Sequence, residues 1–192
     1  MRRTLALILA VMAAAGAAAA RDLGPQDPGR FDYYVLALTW VPGFCAHQAS
    51  SAECSKGLGF ALHGLWPQDQ GGDWPSNCSP VRLTRVQQDQ FSTVYPDPSM
   101  IRHEWPKHGT CSGLSPADYY ALSTADEALV QIPADLRSPK SLPSRQADAV
   151  RQDFLTANPG LPPNGIKVAT DRGGVSEVEV CFNKDKSFRA CD

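Results

Sequence analysis

The sequence has no excess of positive charge. Its 18 lysine and arginine residues are outnumbered by 20 aspartate and glutamate residues, which gives a formal net charge of −2 over 192 residues. The chain therefore lacks the broad basic surface with which proteins hold nucleic acid tightly. This absence excludes stable DNA binding, but it does not exclude an enzyme that turns nucleic acid over, because such an enzyme gains nothing by holding its product.

Long hydrophobic runs are absent after the first 20 residues. Met1–Arg3 is positively charged, Leu5–Val11 is apolar, and the alanine tract that follows ends in Ala18-Ala19-Ala20, immediately before Arg21. This pattern predicts a secretory signal peptide over residues 1–20. An uncleaved anchor is the alternative, but the alanine-rich core is short for a bilayer span of about 20 residues. We expect no membrane association after the leader is removed.

Residues 21–192 are long enough for a single domain with a sizeable core. Removing the leader takes away two arginines and no acidic residue, so the net charge of the remainder becomes −4. No internal repeat and no low-complexity tract follows the leader. A single secreted or periplasmic domain is therefore expected.

Six cysteines lie behind this leader, at positions Cys45, Cys54, Cys78, Cys111, Cys181 and Cys191. An even number in an exported chain indicates an oxidising compartment and three disulfides. Many pairings are possible, and the sequence alone does not choose among them. The economical local loops join Cys45 to Cys54 and Cys181 to Cys191, which leaves Cys78 with Cys111.

Strand and helix patterns occur together in the chain. Four strands are predicted at Phe31–Trp40, Gly59–Trp66, Ile166–Thr170 and Val175–Phe182, the last two as a hairpin. Three helices are predicted, from Ser79 to about Phe91, from Ser115 to about Ile132 and from Ser144 to Ala157. In the second helix the expected buried residues are Tyr119, Tyr120, Leu122 and Leu129. The mixture predicts an α+β fold with a central, mainly antiparallel sheet and helices packed around it.

The stretch from His103 to Cys111 contains the closest grouping of titratable side chains that could act in catalysis. It gathers two imidazoles, a carboxylate and an ammonium group, contributed by His103, Glu104, Lys107 and His108. On a helix with roughly 100° per residue, the four side chains lie within an arc of about 140°. Such a face can hold a charged phosphate transition state and move protons, because the pKa of imidazole lies near neutrality. A salt-bridged solvent face is the other interpretation, which the tryptophan, glycine and cysteine of this stretch disfavour.

A zinc site is a further interpretation of this stretch, since His-Glu opens a metalloprotease signature. That signature places its histidines at i and i+4, so that both meet one ion. Here the second histidine, His108, follows His103 at i+5. The spacing therefore disfavours zinc, and no metal or other cofactor is expected.

Two further histidines have different surroundings. His47 lies in a polar loop between two cysteines, which is typical of a solvated side chain without a catalytic role. His63 lies within a predicted apolar strand and is either a core residue or a functional one aimed into a cleft. Gly64 beside it, and Trp66-Pro67 at the end of the strand, favour an exposed strand end with an aromatic platform.

The segments Phe60–Pro67 and Arg102–Cys111 closely resemble the two signature segments of the ribonuclease T(2) family. The C-terminal segment Val178–Cys191 also resembles that family's terminal strand and disulfide. The resemblance extends from about Phe31 to Cys191, although the middle of the chain adds little beyond a helix pattern. Pro106 stands where the family usually has a polar or acidic residue. Since proline fits best in the first turn of a helix, this helix is expected to start late.

The resemblance implies an endoribonuclease that cleaves single-stranded RNA through a 2′,3′-cyclic phosphate, without a metal. It implies that His108 is the base and His63 the acid, that Glu104 and Lys107 stabilise the transition state, and that His103 holds the phosphate. RNA is the expected partner, and a monomer is the expected state. A non-catalytic secreted binding module on the same fold is the alternative, but such a module is expected to have lost a catalytic histidine. A metal-dependent nuclease would need carboxylate clusters, which are absent near both segments.

Base recognition is expected beside the first segment. Trp66 resembles the family's base-stacking tryptophan, and Trp74 and Tyr95 are further stacking candidates. Gln68 occupies a position that is acidic in some family members, and its amide both donates and accepts hydrogen bonds. These residues predict weak base selectivity.

Overall fold

The computed structural model describes residues 27–138 and 146–192. The predicted leader and the beginning of the third predicted helix lie outside these residues. Among the residues described, none of the helices combines the length and the apolar character that a membrane span requires.

A four-stranded antiparallel sheet forms the centre of the fold. Its strands are β1 (Tyr33–Trp40), β2 (Phe60–Gln68), β3 (Ile166–Asp171) and β4 (Gly174–Phe182), in the order β2-β1-β4-β3. The predicted strands and the C-terminal hairpin are confirmed, and β2 runs beyond the predicted end at Trp66, with Pro67 paired to Tyr34. The central strand β1 is buried at all positions except Thr39.

In the described part of the chain, five helices accompany the sheet, namely α1 (Val41–Cys45), α2 (Arg85–Gln90), α3 (Ile101–Lys107), α4 (Pro116–Leu129) and α5 (Ala147–Ala157). Single turns of 3₁₀ helix lie at Ala52–Ser55, Pro98–Met100, Gly109–Cys111 and Ala134–Leu136. Together with the sheet, these helices confirm the α+β class.

The predicted start of α2 at Ser79 is wrong. The helix begins after Thr84, whose hydroxyl accepts a hydrogen bond from the Gln87 N–H, while the Gln87 side chain accepts from the Thr84 N–H. This reciprocal capping box satisfies two backbone donors that the first turn leaves unpaired. The Ser79 hydroxyl accepts only from the Val81 N–H.

The start of α4 is confirmed, since the Ser115 hydroxyl accepts from the Asp118 N–H. Its predicted end at Ile132 is wrong, because the helix stops at Leu129, which is exposed. The buried stripe of α4 passes through Tyr119, Ser123 and Asp126 and continues at Val130. Leu129 therefore falls beside this stripe.

The two faces of the sheet have different roles. One face packs against α4 and α5 in the main hydrophobic core, to which β1 contributes Leu36 and Leu38. On the opposite face, Tyr33, Val35 and Cys181 form a small cluster against the partly buried Trp66. This second face supports the candidate site.

All three predicted disulfides are confirmed, as Cys45–Cys54, Cys78–Cys111 and Cys181–Cys191. The second one ties the loop before α2 to the turn that follows α3. Next to it, the Asn77 N–H donates to the Lys107 carbonyl at 3.0 Å. The end of α3 is thereby held in place by a covalent bond and a backbone hydrogen bond.

Candidate active site

A β-bulge positions His63. Strand β1 pairs Ala37 with Gly64 and Leu38 with Leu62, so His63 is an extra residue in β2 without a partner across the ladder. A bulge bends the strand and re-aims a side chain. It also explains why Leu62 and Leu65 both reach the main core, although a spacing of three does not fit regular strand alternation. His63 is aimed into a cleft instead of the core.

Helix α3 and the turn after it position the second group. The helix begins at Ile101 and contains Pro106 in its last turn, so the expected late start is wrong. Proline is tolerated there because the helix ends at the next residue, and only the single hydrogen bond to the Arg102 carbonyl is lost. The His108 N–H still donates to the Glu104 carbonyl at 2.9 Å.

Within residues 27–138 and 146–192, the cleft is lined by Tyr33, Val35, His63, Trp66, Gln68, Gly72, Trp74, His103, Lys107, His108, Lys167 and Glu179. The predicted site residues are among them, apart from Glu104, which is completely buried and contacts the cleft residues described below. Tyr95 was a wrong stacking candidate, because it is buried in the main core against Tyr120. His47 is exposed and does not line this cleft.

Glu104 lies beside His63 and His103. Its Oε2 accepts a hydrogen bond from the Trp66 Nε1 at 3.0 Å. Its Oε1 lies 3.8 Å from the His63 Nε2 and 3.9 Å from the His103 Nε2, and has no hydrogen-bond partner among the described residues. Burial raises the pKa of Glu104 to about 7, against the opposing effects of His63 and Trp66. The carboxyl group therefore carries a proton in acidic solution.

Gly64 leaves room for this arrangement. A Cβ at this position would overlap both the Glu104 carboxylate and the Trp66 indole nitrogen. Glycine permits this close approach. A glycine directly after the histidine is thus a local signal in the sequence that another side chain passes close to the strand.

His63 has a partner that the sequence analysis missed. Its Nδ1 lies 2.5 Å from the Glu177 Oε2 on β4. Burial alone lowers the pKa of His63, but the hydrogen bond with Glu177 and the nearby charge of Glu104 outweigh it and raise the pKa above its ordinary value. His63 is therefore a cation in acidic solution.

His108 has the opposite electrostatic environment. It is 4% exposed, and burial lowers its pKa to about 3, helped by the positive charges of Lys107, His103 and His63. Its ring stacks on the Trp66 indole, with ring centres 5.2 Å apart and planes inclined by 25°. Trp66 also meets the His63 ring edge to face, at 5.1 Å. The indole thus separates a cationic imidazole from a neutral one.

The geometric reason for disfavouring zinc is wrong. His103, Glu104 and His108 each bring one candidate ligand atom within 4.8 Å of the others. The reason is that His108 lies beyond the last helical residue, with φ at −118°, so its direction does not follow ideal helix angles. Three convergent N and O atoms match the number of protein ligands at a catalytic zinc ion. The spacing of the histidines therefore does not decide between metal and phosphate as the ligand.

A cationic imidazole, a neutral imidazole and a lysine line one cleft, a combination suited to acid–base chemistry on a phosphate ester. The model of the Ribonuclease T2 family matches residues 31–191. A ribonuclease of Aeromonas hydrophila is 38% identical over 166 residues, which cover 83% of this chain and 75% of the relative. Ribonuclease MC of Momordica charantia is 34% identical over 180 residues, which cover 82% and 92% respectively.

Solved structures show the same fold. A variant of RNase MC1 in complex with 5′-UMP has a TM-score of 0.65 at 28% identity, over 84% of this chain and 93% of that one. An RNase-related protein from Calystegia sepium has a TM-score of 0.67 at 24% identity, over 84% and 90%. The chain belongs to the ribonuclease T2 family and is an endoribonuclease of that family.

Proposed function

We propose that this protein cleaves single-stranded RNA by metal-independent transphosphorylation. The ribose 2′-oxygen bonds to the adjacent phosphorus, the bond from phosphorus to the 5′-oxygen breaks, and a 2′,3′-cyclic phosphate forms. The observation that carries the proposal is that two imidazoles with oppositely shifted pKa values, His63 and His108, line one cleft.

Oppositely shifted pairs of titratable groups identify the acid and the base of a site. We assign His108 as the base that takes the 2′-hydroxyl proton, because burial keeps it neutral. We assign His63 as the acid that protonates the leaving 5′-oxygen, because the Glu177 carboxylate hydrogen-bonded to its ring keeps it charged. Both groups are in the required state from about pH 3 up to the raised pKa of His63, so the enzyme works best in acidic solution.

The remaining polar groups suit the negatively charged phosphorane. Lys107 and the half-exposed His103 supply positive charge at the cleft. At acidic pH the buried Glu104 beside His63 and His103 is protonated, so it does not oppose the positive charge that these groups offer the phosphorane. Donors fixed in advance at the place where charge develops are usually the largest single contribution to catalysis.

The wider context supports an exported enzyme. Three disulfides suit an oxidising compartment, and we propose secretion or export to a periplasm, with action as a monomer. The 5′-UMP in the RNase MC1 variant supports a nucleotide ligand for this fold. A non-catalytic binding module is disfavoured because His63 and His108 both line the cleft.

Cleavage in excess chelator tests the proposed function. The purified protein is incubated with an RNA oligonucleotide, with and without EDTA, and product ends are identified by mass spectrometry. We expect equal rates and an accumulation of 2′,3′-cyclic phosphate ends. Loss of activity in EDTA with recovery on added zinc would instead make the cluster of His103, Glu104 and His108 a metal centre. RNA binding without cleavage would indicate the binding module.

Base selectivity is expected to be weak. Stacking on Trp66 or Trp74 accepts every base, since each base has a π-face, and contributes about 1–3 kcal/mol. Gln68 also lines the cleft, and its amide can turn to suit different base edges. We predict that all four bases are cleaved within about a hundredfold of one another, a range set by differences of this size.

The same stacking residues provide a mutational test. Trp66→Ala is expected to lose more activity than Trp74→Ala, because Trp66 also packs on His108 and donates to Glu104, whereas Trp74 is largely exposed. Initial rates on every dinucleoside phosphate measure both effects. A preference above about a thousandfold, well beyond one stacking contact, would show that another residue reads the base.

A further inference from the structure

The His63 ring is contacted from two directions. Its Nε2 faces the Glu104 Oε1 at 3.8 Å, on the side of the cleft. Its Nδ1 lies 2.5 Å from the Glu177 Oε2. The proposed reaction uses Nε2 and leaves the contact at Nδ1 unexplained.

We propose that Glu177 is a positioning residue for His63: its carboxylate accepts the Nδ1–H, and so directs the Nε2–H toward the leaving 5′-oxygen. The inference rests on the proposed function, in which His63 is the acid. A neutral imidazole carries its proton on either nitrogen, and a carboxylate at Nδ1 selects one tautomer and one ring orientation. When His63 delivers its proton, Nδ1–H remains bonded to Glu177 and Nε2 is left free to take up the next proton.

The sheet gives Glu177 a fixed place from which to act. Strand β4 lies between β1 and β3, and Glu177 is paired with Thr39 on one side and Ala169 on the other. His63, by contrast, is the unpaired residue of the bulge in the edge strand β2. The contact therefore crosses β1, and links an unpaired position of an edge strand to an interior strand.

Other charged groups also act on His63. Glu104 faces it from α3, Glu53 from the turn Ala52–Ser55 and Glu179 from β4, all favouring the cation. Positive charge on His103 opposes it. Among the residues described, Glu177 is the one whose side chain is hydrogen-bonded to the ring. Its removal is therefore expected to change both the charge state and the orientation of His63.

Two substitutions separate charge from geometry. Glu177→Gln keeps an oxygen that accepts the Nδ1–H but removes the charge, so the alkaline limb of kcat/KM is expected to move to lower pH by about one unit. Glu177→Ala removes both, and kcat is expected to fall about 10- to 100-fold, with KM unchanged because Glu177 is placed away from the substrate. The glutamine variant is expected to recover part of this loss.

A control and a second measurement complete the test. Asp148→Asn removes one negative charge from the exposed face of α5, and we expect it to leave the profile unchanged. The pKa of His63 is followed in parallel by NMR titration of its ring protons, which needs no turnover. We expect the same downward shift in Glu177→Gln as in the kinetic profile.

The two proposals fail in different ways. If wild type cleaves RNA and both Glu177 variants keep its alkaline limb and its His63 titration, the positioning role is overturned. If wild type does not cleave RNA, the proposed function falls, and the NMR titration still decides whether Glu177 controls His63. If Glu177→Ala does not fold, the nearly isosteric Glu177→Gln decides alone.

Discussion

His63→Ala and His108→Ala are each expected to lower kcat on RNA by about 10² to 10⁴, the usual contribution of a general acid or base. Neither change should disturb the fold, because His63 is unpaired in the ladder and the His108 Nδ1 has no partner within the described ranges. Steady-state kinetics and thermal unfolding of both variants check this. A variant that keeps more than about a tenth of the wild-type rate would remove that histidine from the mechanism.

The pH profile assigns the two roles. The proposed mechanism requires neutral His108 and protonated His63, so wild-type kcat/KM should rise as pH increases through the low pKa of His108 and fall through the raised pKa of His63. His108→Ala should lose the acidic limb, and His63→Ala the alkaline one. His47→Ala is the matched control, because His47 is exposed and outside the cleft, and its profile should be that of wild type.

Oligonucleotides without a free 2′-hydroxyl are expected to resist cleavage completely. DNA lacks the attacking group, and 2′-O-methyl RNA has it blocked, so neither can form the cyclic phosphate. The methylated strand should still inhibit competitively, because His103 and Lys107 lie in the cleft to meet its phosphates. Product gels and inhibition kinetics measure the two effects.

A DNA strand that contains a single ribonucleotide sharpens this test. Cleavage is expected only at the phosphate on the 3′ side of that ribose, since the nucleophile must be adjacent to the phosphorus. Cleavage at several positions, or DNA cleavage at a rate comparable with RNA, would mean that water is the nucleophile. Such a result would contradict the proposed roles of His63 and His108 together.

The sheet could be predicted from two kinds of pattern. Strand β1 is buried on both faces and forms a continuous apolar run, whereas β4 has polar residues alternating with buried ones. Helix ends were less predictable. Ser79 and Thr84 are both suitable caps, and only the glutamine three residues after Thr84 distinguishes the real start. In α4 the buried stripe of Tyr119, Ser123 and Asp126 continues at Val130, so Leu129 lies beside it and is exposed. Such details are decided by packing against the sheet.

Site residues that share a local segment were predictable, whereas contacts across the sheet were not. The stretch from His103 to His108 brings its groups together within two turns. Glu177, however, lies 114 residues from His63, and in the sequence it looks like the polar side of a half-buried strand. Their side chains meet only because the sheet places β2 and β4 on either side of β1. The geometric argument against zinc was wrong for a related reason, because His108 lies beyond the end of α3 and does not follow ideal helix angles.

The bulge at His63 also affects how readily the edge of the sheet can pair with a strand of another chain. Strand β2 is an edge of the sheet, and an exposed regular edge invites pairing with a further strand and hence aggregation. An inserted residue twists such an edge, and Pro67 on the same strand lacks a backbone donor. A deletion that restored regular pairing would thus do more than remove an imidazole, because it would also straighten this edge strand. The insertion that aims His63 into the cleft thus also makes this edge less regular as a template for pairing.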